Sequence, residues 1–134
     1  MASGPTEQAA PLIAAELIAV VTAVTGGDPR VLTIGDNPAL PSGPFETTHR
    51  SLQASVRSWV ERQTHHPLGY LEQLYTFADL DRTARDGRVV SVCYLGLARE
   101  AAGSVGWQSW YRYFPWEDRR TSEDVETLVQ PLRA

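Results

Sequence analysis

Apolar and polar positions change period several times along this chain, and each change marks an element. From Glu16 to Val24 the β-branched content predicts a strand. Gly26-Gly27-Asp28-Pro29 is a turn signal, and Val31-Leu32-Thr33-Ile34 returns as a second strand, giving a hairpin with a longer loop. Residues 35–46 carry Gly35, Pro38, Pro41, Gly43 and Pro44 and predict a loop, with room for one short strand near Leu40. Thr47 to Gln63 predicts a helix capped by Thr47 or Thr48, and Pro67 forbids extension much beyond His66. Leu52, Val56, Trp59 and Val60 fall on one arc of it and predict the buried face.

Tyr70 to Phe77 alternates apolar with polar residues, as a half-buried strand does. A polar connection runs from Asp79-Leu80-Asp81-Arg82 to Asp86-Gly87. Arg88 to Ala98 is apolar at both parities and predicts a strand covered on both faces, before a turn or loop over Ala101–Val105. Thr121 can cap a last helix whose Val125, Leu128, Val129 and Leu132 follow i, i+3, i+4, i+7, although Pro131 weakens its final turn. The expected organisation is a loose tail over 1–11, one domain over 12–120, and over 121–134 a helix or the start of a linker.

Length and composition narrow the class. A chain of 134 residues that is 43% hydrophobic and 21% charged suits one globular domain with a real core. Its net charge of −4 argues against gripping a polyanion by bulk electrostatics. The single cysteine, Cys93, lies in an apolar run and is expected as a small buried hydrophobe; one cysteine allows no internal disulfide and suits a reducing cytosol. The apolar stretch from Leu12 to Val24 is too short for a membrane span and contains Glu16, and no Lys or Arg precedes it as in a secretory signal. A cytoplasmic location is expected.

Gly43, Arg57, Trp59 and Glu61, on a Pro/Gly loop followed by an amphipathic helix, resemble part of the signature of the Nudix superfamily. That signature runs Gly, five residues, Glu, seven residues, then Arg-Glu-apolar-any-Glu-Glu-any-Gly-apolar. Laid from Gly43, its first Glu falls on His49. Its Arg falls on Arg57, its next Glu on Ser58, its Glu pair on Glu61-Arg62, its last Gly on Thr64 and its last apolar position on His65. Nudix hydrolases hold a divalent metal on this helix, and a hard cation needs several carboxylate oxygens on one face. Here Ser58 removes one carboxylate and Arg62 replaces another with a cation, so Glu61 stands alone. Bottom-up, Arg57 and Glu61 are otherwise an i,i+4 ion pair on a solvated face.

The string Tyr70-Leu71-Glu72-Gln73-Leu74-Tyr75-Thr76-Phe77, followed by Asp79, Asp81, Arg82 and Arg88–Leu95, is similar to the Nudix-related transcriptional regulators of bacterial NAD metabolism. The aromatic segment Trp107–Trp116 is similar to their alphaproteobacterial branch. The resemblance covers about 12–120. It implies an α/β chain, a Nudix-fold α/β/α sandwich with a mixed sheet. It also implies a non-catalytic sensor of ADP-ribose or another NAD-derived nucleotide, a homodimer, and DNA contact only through a winged-helix domain outside these 134 residues. No cofactor and no metal are expected.

A nucleotide pocket wants aromatic plates for the base, hydrogen-bonding groups for ribose and cations for phosphate. Tyr75 and Phe77 share a strand parity that Gln73 joins, which gives one face two rings and a polar end. Arg57 and Arg82 are the candidate phosphate partners. The expected ligand-binding set is therefore Arg57, Glu61, Gln73, Tyr75, Phe77 and Arg82. Plain sheet packing of Tyr75 and Phe77, and a loop charge in water at Arg82, remain as alternatives. Six of the twelve aromatic residues fall between Trp107 and Trp116; such a cluster suits a base-stacking platform, a core edge or, by residue type the favoured reading, an interdomain or dimer contact. His49, His65 and His66 lack metal-ligand spacing, and the last two favour the helix macrodipole instead. Two other functions compete: a metal-dependent hydrolase pairing Glu61 with Glu46, Glu72 or Asp79, and a structural dimerisation module.

Overall fold

A computed structural model describes residues 12–78 and 87–120. The expected tail, the connection holding Asp79, Asp81 and Arg82, and the expected C-terminal helix lie outside the described residues.

Strand β1 (Leu12–Thr25) is the axis of a mixed sheet. The others are β2 (Asp28–Leu32), β3 (Ser42–Pro44), β4 (Leu71–Phe77), β5 (Gly87–Leu97) and β6 (Trp107–Ser109). The order is β4-β5-β1-β2-β6, with β3 also paired to β1. β5 runs parallel to β1 from Leu12↔Gly87 to Thr22↔Leu97. Along its other edge β1 pairs antiparallel first with β3, at Glu16 to Ile18, and then with β2, at Thr22 to Thr25. Helix α1 (Leu52–Thr64) packs on β1 and β3.

The core forms between α1 and one face of the sheet. Leu17, Ala19, Val21 and Ala23 of β1 alternate inward and meet Val56 and Val60 of α1, joined by Val92, Tyr94, Leu71, Leu32 and Trp107. Residues opposite one another across a register share a face. The second face therefore carries Glu16, Ile18, Val20 and Thr22 of β1 and Ser91, Cys93, Leu95 and Leu97 of β5.

Several boundaries differ from the sequence expectation. The first hairpin has a two-residue turn rather than a longer loop: Thr25 pairs with Asp28, and Gly26 and Gly27 both take positive φ (59° and 82°), the twist that suits tight hairpins. The helix starts at Leu52, not Thr47, because residues 46–49 close into a turn. There the His49 N–H donates to the Glu46 carbonyl at 3.0 Å, and the Glu46 N–H donates to His49 Nδ1 at 3.1 Å. The N-cap is Ser51, whose Oγ accepts from the Ala54 N–H at 3.0 Å. The short strand comes at Ser42–Pro44, beyond Leu40, where Pro41 O accepts from the Ala19 N–H and ties the loop to β1.

β5 is covered on both faces through Ser91–Tyr94, as its double apolar parity predicts. β4 is less buried than its alternation predicts. It is the sheet edge, and from Glu72 to Thr76 every residue is exposed. The aromatic segment opens as β6 with Trp107 in the core, then forms two 3-10 turns at Trp110–Arg112 and Pro115–Glu117. Trp110, in the first turn, stacks at 4.6 Å on Phe114, the residue just before the second.

Candidate functional site

The helix is where a Nudix enzyme would hold metal. Gly43, on β3, faces α1, and Trp59 packs against its Cα so closely that a side chain there has no room. The indole Nε1 donates to the Pro44 carbonyl at 2.9 Å. Gln63 holds the same strand from the next turn: its Nε2 donates to Ser42 O at 2.8 Å and its Oε1 accepts from Ser42 N at 3.3 Å. The loop-to-helix corner is thus clamped from two helical turns.

On the outer arc, Ser58 and Arg62 stand one turn apart, and Arg62 Nη2 donates to Ser58 Oγ at 3.3 Å. The Arg62 guanidinium sits 4.8 Å from the Trp59 ring centre, a cation–π distance. Glu61 is exposed. His49, at the first Glu position, is engaged inside the corner. Because its Nδ1 accepts from the Glu46 N–H, the buried Ser55 hydroxyl also donates to it, at 2.8 Å. Its ring stacks on Phe45 and meets Trp59 edge-on, each at 6.2 Å.

These residues do not fit a Nudix-type metal. Among the described residues no three His, Cys, Asp or Glu gather closely enough to hold an ion. A guanidinium occupies the place of a carboxylate and would repel a divalent cation at this range.

Arg57 is committed elsewhere. Its Nη1 donates to the Leu68 carbonyl at 2.7 Å and also to the Gly69 carbonyl, so it pins the segment between α1 and β4. It forms no ion pair with Glu61; the ion pairs among the described residues are Arg30–Glu100 and those of Arg120 with Asp28 and Asp118.

The strand candidates separate. β4 has an irregularity between Gln73 and Tyr75: Gln73 pairs with Tyr94, and Tyr75 with the adjacent Cys93. Leu74 is the extra residue of a β-bulge, which inverts the parity. Gln73 therefore shares the α1 face with Thr76, to whose Oγ1 its Nε2 donates at 3.3 Å. Tyr75 and Phe77 lie on the opposite face with their rings 4.7 Å apart. The expected grouping of Gln73 with Tyr75 and Phe77 is corrected by this bulge. Arg82 lies outside the described residues.

Two rows now cross the second face. One runs Phe77, Ser91, Glu16, Pro44 and the next Tyr75, Cys93, Ile18, Ser42. Sequence reasoning passed over Glu16 and Ser91. Glu16 interrupts an apolar strand, which was a usable signal, whereas Ser91 gave none. The Ser91 Oγ is buried without a hydrogen-bond partner among the described residues, a costly arrangement for a polar atom. Beside Glu16, a groove of about 190 Å³ is lined by Ala14, Ser42, Gly43, Pro44 and Val89. Further along the same face a more apolar cavity of about 390 Å³ lies under Trp110 and Phe114, floored by Val20 and Val31. The arrangement offers rings and a carboxylate on one surface, with the Ser91 hydroxyl buried in the sheet beside them, and a fixed guanidinium on the helix beyond β3.

No family model matches this chain, and no curated protein matches it. Solved structures do. The Nudix domain of Shewanella oneidensis NrtR, complexed with ADP ribose, is 23% identical with a TM-score of 0.62, over 96% of this chain and 91% of that one. NrtR complexed with a 27mer DNA is 27% identical with a TM-score of 0.57; the match covers 71% of this chain and 49% of that longer one. A mutT/nudix family protein from Listeria innocua is 15% identical with a TM-score of 0.62, over 80% of this chain and 84% of its own. The chain is α/β, with the mixed sheet and packed helix of the Nudix fold. Among the described residues no helix is long and apolar enough to cross a membrane.

Proposed function

We propose that this chain is a non-catalytic Nudix-fold sensor that binds ADP-ribose or a related NAD-derived nucleotide. It serves a bacterial transcriptional regulator of NAD metabolism in the cytoplasm. The observation that carries the non-catalytic reading is the outer arc of α1, where Ser58 and Arg62 replace two carboxylates and Arg62 is stacked on Trp59. Likeness in fold to a domain complexed with ADP ribose supports the ligand class. Likeness to NrtR complexed with DNA supports the regulatory setting. In this reading residues 12–120 are the sensor. Residues 121–134 are a helix or lead into a winged-helix domain that contacts DNA, and the sensor self-associates as a homodimer.

The base and ribose lie across the second sheet face, with the rings of Tyr75 and Phe77 as plates and Glu16 as the hydrogen-bonding group. Gln73 is not in contact with the ligand, and Arg57 supports the site by holding the segment after α1. Glu61 completes the polar rim, and Arg82 is a further candidate for contact with the phosphates.

Calorimetric titration with ADP-ribose, NAD and AMP, with and without Mg²⁺, tests this reading when the same samples are assayed for hydrolysis. Saturable binding without turnover is the expected result. Metal-dependent turnover that disappears in Glu61→Gln would instead make the chain a hydrolase with relocated ligands. Self-association without any nucleotide binding would leave a dimerisation module.

A further inference from the structure

We propose that Arg62 supplies from within the chain the positive charge that a Nudix helix otherwise recruits as a divalent metal, so that a diphosphate group binds here without metal. The inference rests on the nucleotide reading only for the rest of the ligand; the diphosphate chemistry stands on the helix itself.

Three observations converge on Arg62. First, the guanidinium is positioned rather than free to sweep through solvent. It bonds Ser58 Oγ at 3.3 Å and lies 4.8 Å from the Trp59 ring centre. Trp59 is itself fixed by its hydrogen bond to Pro44 O and its packing on Gly43. A side chain already held loses less rotamer freedom when an anion arrives.

Second, among the described residues no ion pair involves Arg62. Glu61 is its neighbour in sequence but points about 100° around the helix. Third, the donor set disfavours the metal it replaces: Ser58 carries no charge, and Glu61 is a lone carboxylate on this arc. A cation needs several such oxygens, whereas a phosphate needs donors in a fork, which a guanidinium provides.

The location also suits a nucleotide. β3 is the wall between the two halves of the site. Gly43 and Pro44 touch Trp59 on the helix side and line the groove beside Glu16 on the other. A ligand with its sugar near Glu16 and its diphosphate over the edge of β3 reaches toward Arg62. The substitution of Arg for Glu is then a change of charge carrier within the same phosphate subsite.

The experiment uses inorganic pyrophosphate and ADP-ribose as separate probes, titrated calorimetrically in EDTA and in Mg²⁺. The proteins are the unaltered chain, Arg62→Ala, Arg62→Gln and the double variant Ser58→Glu/Arg62→Glu. Arg62 is exposed, so thermal midpoints near that of the unaltered chain are expected for both single variants. The unaltered chain should bind both probes equally well in EDTA and in Mg²⁺. Both single variants should weaken binding by about tenfold or more, the size expected for a charge-assisted hydrogen bond. The double variant should lose binding in EDTA and recover it in Mg²⁺.

Binding by the unaltered chain that requires Mg²⁺, or single variants that bind as tightly as it does, would overturn the inference. Arg62-dependent pyrophosphate binding without ADP-ribose binding would uphold it while removing the nucleotide reading. ADP-ribose binding indifferent to Arg62 would do the reverse.

Discussion

Gly43 and Trp59 are in such close contact that a Cβ at Gly43 would overlap the indole ring at Cε2. Gly43 does not take a positive φ, so proximity, not backbone conformation, demands the glycine. The contact fixes the loop-to-helix corner and, through Trp59, the guanidinium of Arg62. Gly43→Ala is expected to destabilise the chain by about 1–3 kcal/mol, the usual cost of overpacking. In a Trp59→Ala background most of that cost should vanish, and a double-mutant cycle by urea unfolding measures the difference.

Arg57 donates to the carbonyls of Leu68 and Gly69. Arg57→Ala should therefore cost about 1–2 kcal/mol of stability and speed amide exchange around Leu68–Leu71. A variant of unchanged stability that loses ligand binding would instead make Arg57 a direct phosphate contact.

His65 ends α1 in the left-handed conformation at φ 57°, with its N–H bonded to Glu61 O at 2.8 Å. A glycine adopts that geometry without the Cβ penalty. His65→Gly is expected to raise stability by about 1 kcal/mol, seen as a higher thermal midpoint. A lower midpoint would show that the imidazole makes a contact worth more than the strain.

Glu100 ties the segment after β5 to the first hairpin. The Thr25 hydroxyl donates to its Oε2 at 2.8 Å, and Arg30 approaches Oε1 at 3.3 Å. The Thr25 hydrogen bond is the largest influence on the Glu100 carboxyl; burial opposes it, and the lesser contributions of Arg30 add to it, so that the carboxyl is held below its ordinary value. A carboxylate lowered by folding stabilises the fold above its unfolded pKa, and that contribution disappears as pH falls through the folded value. Unfolding midpoints should thus drop on the acid side of the ordinary carboxylate range. Glu100→Gln should flatten that limb, and an unchanged acid limb would remove Glu100 from the account.

The bulge at Leu74 separates Gln73 from Tyr75, which gives the proposed ligand face a direct check. Tyr75→Ala should weaken ADP-ribose binding by about fivefold or more, as loss of a stacking plate does. Gln73→Ala, on the other face, should leave it unchanged. Equal losses at both positions in a calorimetric titration would place the ligand at the strand edge rather than on one face.

The sequence carried the periodicities, and these were sufficient for the elements that bury one or both faces. The double apolar parity of Arg88–Ala98 could only be a covered strand, and the Leu52-Val56-Val60 spacing could only be a helix laid on a core. The partial signature from Gly43 to Glu61 was also legible, because steric need for glycine and the charge pattern of a helix arc are written in residue types.

Tertiary structure alone decided the rest, because each remaining feature depends on which groups meet. The helix cap falls on Ser51, and the helix starts at Leu52, because Glu46 and His49 satisfy each other. The two faces of β4 exchanged at Leu74 because pairing with β5 slips there by one residue, and strand parity has no means of announcing a slip. Arg57 meets the carbonyls of Leu68 and Gly69 only because the segment after α1 folds back within its reach. Glu16 and Ser91, far apart in the chain, became neighbours only through the parallel pairing of β1 with β5, a contact that no local pattern encodes.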